Sequence, residues 1–384
     1  MQPTGVIETA KATNPLVDLL KFGQSVWLDY IRRDLITTGE LKRLIDEDGL
    51  RGMTSNPTIF EKAIASGNPE YTSLLHSLKS QANLDAKGRF EALEIRDIQD
   101  AADLLKSVFI STKGRDGYVS LEVSPYLGRD TQGTISEARS LWKAVGRENI
   151  MVKVPGTAEG VPAFQQLISE GININVTLLF SQEMYQKIAE AYIAGLEQLA
   201  AKGGNVAKMA SVASFFISRI DTAADAIIND KLKKSKDAKE QEQLKNLLGK
   251  VAIANGKLAY ERYLKIFGSD RWKKLAAQGA QTQRVLWAST GTKNPSYSDV
   301  MYVEELIGPD TVNTIPPATL DAYRDHGHPR ATLTENIPAA QQTMQSLAKA
   351  GISIDEITDK LTDDGIRLFE EAFDKLLEAI KKNS

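Results

Sequence analysis

Short apolar, β-branched runs recur along the chain, separated by longer stretches in which apolar positions step by three and four. The runs are SVWLDYI (25–31), LRGMTSN (50–56), YVSLEV (118–123), IMVKVP (150–155), INVTLLF (174–180), KMASVASFF (208–216), RVLWAST (284–290) and TVNTIP (311–316). Several are apolar almost without a break, the pattern of strands covered on both faces. Strands alternating with helices predict parallel βα units rather than a sandwich.

The connecting stretches carry helix signals. Ile98, Ala102, Leu105 and Phe109 predict one stripe ahead of the third strand, and Thr134-x-x-Glu137 predicts a capping box opening a helix through Leu141 and Trp142. Val161, Phe164, Leu167 and Ile168 face one way, with Gly171 as the C-cap. Ser181 is placed to cap a helix whose stripe is Met184, Tyr185, Ile188, Tyr192, Leu196 and Leu199. Val251, Ala254, Leu258 and Tyr263 mark a long helix between strands six and seven. At the end of the chain Ile366, Phe369, Phe373, Leu376, Leu377 and Ile380 step by three and four, and Lys381 and Lys382 suit a helix C-terminus.

Eight strands alternating with helices predict an α/β fold, a closed (β/α)8 TIM barrel. Extra helices are expected in the loops after strands 2 and 6, with a further C-terminal helix. An open doubly wound sheet is the competing arrangement, but no G-x-G-x-x-G stands in the chain to open it. The charged stretch 232–245 reads as a solvated helix face or a loop. With 47 Lys and Arg against 50 Asp and Glu there is no basic excess for nucleic acid. No apolar run reaches the ~18 residues of a membrane span, and the first twenty residues lack the pattern of a secretory signal. Zero Cys among 384 residues excludes disulfides, zinc–thiolate sites, iron–sulfur clusters and Cys nucleophiles, and fits a cytoplasmic location.

A barrel carries its chemistry at the C-terminal ends of its strands, so polar residues among apolar neighbours there are the candidates. They are Asp29, Asn56, Glu122, Lys153, Asn175, Thr177 and Ser214, drawn from six strands. Lys153 is the sharpest, flanked by Met151, Val152, Val154 and Pro155. Its ammonium is either desolvated towards the neutral amine that Schiff-base chemistry needs, or it snorkels or pairs with a buried carboxylate such as Glu122. Asp29 and Glu122 are candidate acid/base groups or satisfied structural acids. Thr54, Ser55, Asn175 and Thr177 either satisfy backbone groups or meet a polyhydroxylated substrate. Arg219 and Lys293 follow strands six and seven, in the loop region where barrels hold phosphate, or they are solvated surface cations. The H-x-H of His326 and His328 sits in a Gly/Pro loop after the last strand, with the third His, His76, far off in sequence. That context disfavours a metal site. No G-x-S-x-G elbow supports a serine hydrolase.

GMTSNPTIF (52–60), MVKVPGT (151–157), INVTLLFS (174–181) and ASFFISRID (213–221) resemble transaldolase signatures, and the likeness runs along nearly the whole chain. The length and the HGHPRATL segment (326–333) resemble the longer bacterial members of that family. The resemblance implies one barrel domain over 1–384. It also implies a cofactor-free, metal-free class I transferase of carbohydrate metabolism, moving a dihydroxyacetone unit in the pentose phosphate pathway. Carried over by position, Lys153 would form a Schiff base with sedoheptulose 7-phosphate or fructose 6-phosphate. Glu122 would move protons with Thr177 orienting a water, and Asp29 would deprotonate the C4 hydroxyl. Asn56 and Asn175 would hold the three-carbon enamine, and Ser214 and Arg219 would bind phosphate. The compact members place an Arg in the strand-seven loop as a second phosphate ligand. Here that loop offers Lys293, a point charge without the bidentate fork. The competing functions are an aldolase releasing free dihydroxyacetone, a catalytically silent sugar-phosphate binder and a metal-dependent hydrolase.

Overall fold

A computed structural model describes residues 14–65, 67–78 and 84–383. All eight runs form strands: β1 (Gln24–Asp29), β2 (Gly52–Thr54), β3 (Tyr118–Glu122), β4 (Ile150–Pro155), β5 (Ile174–Leu179), β6 (Ser211–Phe216), β7 (Arg284–Ala288) and β8 (Thr311–Ile315). Each pairs in parallel with the next, and β1 pairs with β8, closing the barrel in sequence order. The strands are buried almost throughout because one face meets the barrel interior and the other the helices. β2 and β6 are shorter than their apolar runs suggest. Asn56 falls outside β2, ahead of a helix that starts at Pro57, and a helical turn Val206–Lys208 precedes β6. Pro suits that first helical position, where its missing N–H costs no bond.

The loop after β2 holds the helices Pro57–Ala65, Pro69–Leu78, Ala86–Leu104 and Lys106–Ser111, and the loop after β6 holds Ser218–Lys234, Ala238–Lys245, Val251–Phe267 and Asp270–Ala276. The C-terminal helix runs from Ile354 to Asn383 and buries Ile366, Phe369, Phe373, Leu376 and Ile380. Ser181 caps the Gln182–Ala201 helix by accepting from Met184 N at 3.0 Å. Gly171, two residues past the Gly160–Ser169 helix, takes the left-handed φ of 84°. In the Val251–Phe267 helix Val251, Ala254 and Tyr263 are buried, whereas Leu258 is half-exposed at the edge of the stripe. Most of 232–245 is exposed helix.

Two local expectations are corrected. The capping box at Thr134 does not form, because the helix Thr131–Val145 already begins three residues earlier, where the Asp130 carboxylate accepts from Gly133 N at 2.9 Å. Thr134 therefore lies inside the first turn and donates to Leu127 O, while Glu137 accepts from Ser124 N at 2.7 Å. The stripe from Ile98 to Phe109 spans two helices rather than one, broken at Leu105.

The N-terminal end of the barrel is closed by a buried pair. Arg284 donates to Asp116 Oδ1 at 2.7 Å and to Ser25 Oγ at 2.8 Å, and Trp27 Nε1 reaches the same carboxylate. Gly52 lies beside Trp27 in the β1–β2 register, and a Cβ there would stand 2.5 Å from the indole. This network fills the N-terminal end of the barrel, opposite the C-terminal strand ends.

Candidate active site

At the C-terminal ends of the strands a cavity of about 590 Å³ is lined by Asp29, Asn56, Lys153, Thr177, Ser214, Arg219 and Lys293. β1, β4, β5 and β6 supply Asp29, Lys153, Thr177 and Ser214 to this lining, and the loops beyond β2, β6 and β7 supply the rest. The structure thus gathers seven of the nine sequence candidates around one space. The other two, Glu122 and Asn175, stand directly behind it.

Lys153 is buried, and its amine donates to Ser55 O at 2.9 Å and pairs with Glu122 Oε2 at 3.2 Å. Both arise from sheet geometry: Glu122 is the register partner of Lys153 across β3 and β4, and Ser55 follows β2. Burial pushes the Glu122 carboxyl above its ordinary range, opposed by the charge of Lys153. Apart from the Lys153 amine, Glu122 Oε2 has no hydrogen-bond donor among the described residues.

Asp29 sits at the cavity floor, where Thr54 Oγ1 donates to it at 2.9 Å. Desolvation raises its pKa; Lys153, the Thr54 hydrogen bond, Arg219 and Lys293 act against the rise. Thr177 Oγ1 is buried with no hydrogen-bond partner among the described residues, so it has capacity left for a water or a substrate. Beside it the β5–β6 register shifts between Val176 and Leu179, with Leu178 at a φ of 59°. Such a bulge re-aims neighbouring side chains.

Asn175 is fully buried beneath the lining, donating to Ser120 Oγ at 3.1 Å and accepting from Ser214 Oγ at 2.7 Å. The Ser214 proton is therefore spent on Asn175 rather than aimed into the cavity. Asn56 Oδ1 accepts from Ile59 N at 3.2 Å and caps the Pro57–Ala65 helix from the cavity rim. Arg219 lies over the rings of Phe216 and Phe369 at 5.2 and 6.0 Å. Burial lowers its pKa, and the charge of Asp29 acts against this.

The cavity wall also contains residues that sequence reasoning passed over: Arg32, Lys62, Phe216, Ser289 and Phe369. Arg32 follows Asp29 by three residues and could have been found as a strand-end cation. Phe369 had no local signal, since only tertiary packing brings the C-terminal helix to the barrel mouth. His326 lies apart from this site, bonded to Asp299 and Asp325 at 2.9 and 3.1 Å. Among the described residues no group of three or more His, Asp or Glu side chains is gathered as a metal site.

A strand-end lysine paired to a carboxylate, with a second carboxylate on the same cation-rimmed cavity, supplies the groups that amine chemistry on a carbonyl compound requires. The comparisons narrow the class. Residues 26–380 match the family Transaldolase/Fructose-6-phosphate aldolase, and the chain belongs to that family. It is 50% identical over 372 residues to a transaldolase of Trichodesmium erythraeum, covering 96% of this chain and 97% of the relative. It is 48% identical over 373 residues to "Transaldolase 2" of Nostoc sp., with the same coverage of 96% and 97%. It is 47% identical over 363 residues to a transaldolase of Thiobacillus denitrificans, covering 94% and 98%. Likeness over nearly the full length of both chains supports an enzyme with transaldolase activity, a transferase.

Proposed function

We propose that the protein transfers a dihydroxyacetone unit reversibly from sedoheptulose 7-phosphate to glyceraldehyde 3-phosphate, giving erythrose 4-phosphate and fructose 6-phosphate, through a Schiff base on Lys153. The Lys153 amine attacks the ketose carbonyl after giving a proton to Glu122. The carbinolamine then loses water, with Thr177 Oγ1 orienting the water that carries protons to and from Glu122. Asp29 removes the proton of the C4 hydroxyl, the C3–C4 bond breaks into the iminium, and the aldose phosphate leaves. The enamine stays on Lys153, held by Asn56 and by Asn175 from beneath, until an acceptor aldehyde takes its carbon and hydrolysis frees the ketose.

The iminium is the electron sink, so these residues complete the step between them. Arg219 and Lys293 grip the phosphate, and that remote binding energy orients the reacting end. Ser214 enters this scheme as the group that fixes Asn175. The reading carries with it a place in the non-oxidative pentose phosphate pathway and a cytoplasmic location, in keeping with a chain free of Cys. The observation that carries it is the buried Lys153 amine at the cavity wall, 3.2 Å from Glu122.

Borohydride reduction in the presence of fructose 6-phosphate tests it. A stable three-carbon adduct is expected on the peptide bearing Lys153, its yield falling when an aldose phosphate acceptor is added. An adduct elsewhere, or none, refutes the assignment.

A further inference from the structure

Beside Glu122, the partner of Lys153, a second and much smaller space of about 20 Å³ is lined by Glu122, Glu94, Glu137, Lys87 and Glu91. It holds about one water. Glu94 comes from the Ala86–Leu104 helix, and at 4% exposure it is one of the few acids buried in the protein. A buried carboxylate normally recruits a cation. The nearby one, Lys87, is taken by Glu91 at 2.9 Å and Glu137 at 3.0 Å, and among the described residues no ion pair reaches Glu94. The charged groups around Glu94 are thus Glu91 and Asp97 on its own helix, Glu122 from β3, Glu137 from the Thr131–Val145 helix, and the one cation Lys87, whose charge is shared by Glu91 and Glu137. The rest of the wall, including Pro57, Phe90, Leu141 and Phe373, is apolar.

Burial and four acidic neighbours all work against ionisation of an acid so placed and raise its pKa well above the ordinary carboxyl range, towards the neutral form. A neutral carboxylic acid has one O–H to donate, and an acceptor lining the same space has only the Lys153 amine as a donor among the described residues: the buried Glu122 Oε2, whose carboxylate keeps acceptor capacity on the side of this space. We propose that Glu94 is a positioning residue for Glu122, donating a hydrogen bond across this small cavity, through the one water it admits, to Glu122 Oε2. That bond keeps Glu122 ionised between turnovers, ready to accept the proton that Lys153 must lose. The inference rests on the Schiff-base reading above and adds to it a group that touches neither substrate nor lysine.

The test follows imine formation, trapped by borohydride against pH, in Glu94→Gln and Glu94→Leu, so that the later work of Asp29 does not enter. Gln keeps a donor, and its acidic limb should coincide with that of the wild type. Leu removes the donor, and its limb should move up by about one pH unit, the size of one hydrogen bond to a charged acceptor. An unmoved limb in Glu94→Leu overturns the proposal. So does a downward shift in Glu94→Gln, which would mean that Glu94 had been ionised. If Glu94→Leu does not fold, infrared difference spectra of wild type against Glu94→Gln decide. A protonated carboxyl band at neutral pH that disappears in the variant is expected, and its absence overturns the proposal. Failure of wild-type trapping at Lys153 would instead sink the Schiff-base reading itself.

Discussion

Asp29 is the residue on which opposing influences meet most openly. Desolvation holds its proton more tightly than an ordinary carboxyl, while the Lys153 charge, the Thr54 hydroxyl, Arg219 and Lys293 loosen it. The net direction is upward, which suits a base that must take a proton from a sugar hydroxyl and give it back. Replacing Asp29 by Asn keeps the shape and the Thr54 contact but abolishes the base. Imine trapping on Lys153 should survive, and turnover should fall by about 10²–10⁴-fold, the usual worth of a positioned proton acceptor. Turnover within a few-fold of wild type would remove Asp29 from the mechanism. In the wild type the acidic limb of the steady-state rate should lie above the ordinary carboxylate range, since Asp29 as the proposed base acts only when ionised and its pKa is raised.

Among the elements, the helix that follows β6 shows how one acid ties a loop together. Asp221 lies within the first turn of Ser218–Lys234, accepts from Ala252 N at 2.7 Å at the start of the Val251–Phe267 helix, and accepts from Tyr302 Oη at 2.9 Å. Burial outweighs these bonds and raises its pKa to about 6. For an acid whose folded pKa is raised, the folded state holds the proton more tightly than the unfolded chain. This stabilising contribution is complete below the unfolded value of 3.8 and is lost as pH rises through about 6. The loss amounts to at most about 3 kcal/mol. Asp221→Asn cannot titrate, so its stability relative to wild type should improve by about 2–3 kcal/mol between pH 4 and pH 7 in paired urea melts. A constant difference across that range would show that Asp221 is not the titrating group. The same stretch marks how far sequence reads. SFFISRID announced a strand and the Arg219 beyond it, because strand ends and loop cations are local facts. Asp221 and its partners 31 and 81 residues away are facts of packing. Arg284 is similar: read as the first residue of an apolar run, it proves to be the cation that closes the barrel floor on Asp116.

Over the whole molecule the eight strands and their order were legible because parallel strands write their burial as unbroken apolar runs, and a polar residue within such a run stands out. That contrast gave Asp29, Glu122, Lys153, Asn175, Thr177 and Ser214. What it could not give is direction: whether a side chain lines the cavity, as Lys153 does, or lies under it, as Asn175 does, depends on neighbours from other strands. Nor could it show charge distribution. The chain carries a formal charge of −3, yet the mouth of the cavity gathers Arg32, Lys62, Arg219 and Lys293 from four separate segments. Arg32 is paired with Asp34, so its share is partly cancelled. The others face a space whose intended occupant bears a phosphate dianion. Such a local positive field on a negative molecule steers an anionic substrate inward and weakens as salt shortens the Debye length from about 10 Å at 0.1 M to about 3 Å at 1 M. Raising the ionic strength over that range should therefore lower kcat/KM for fructose 6-phosphate several-fold while leaving kcat nearly unchanged, because Lys153 and Glu122, to which the chemistry is assigned under the proposal, are buried and little screened. The dephosphorylated ketose should show no such dependence. Equal salt sensitivity for the two would mean that the cations at the mouth serve the fold and not the substrate.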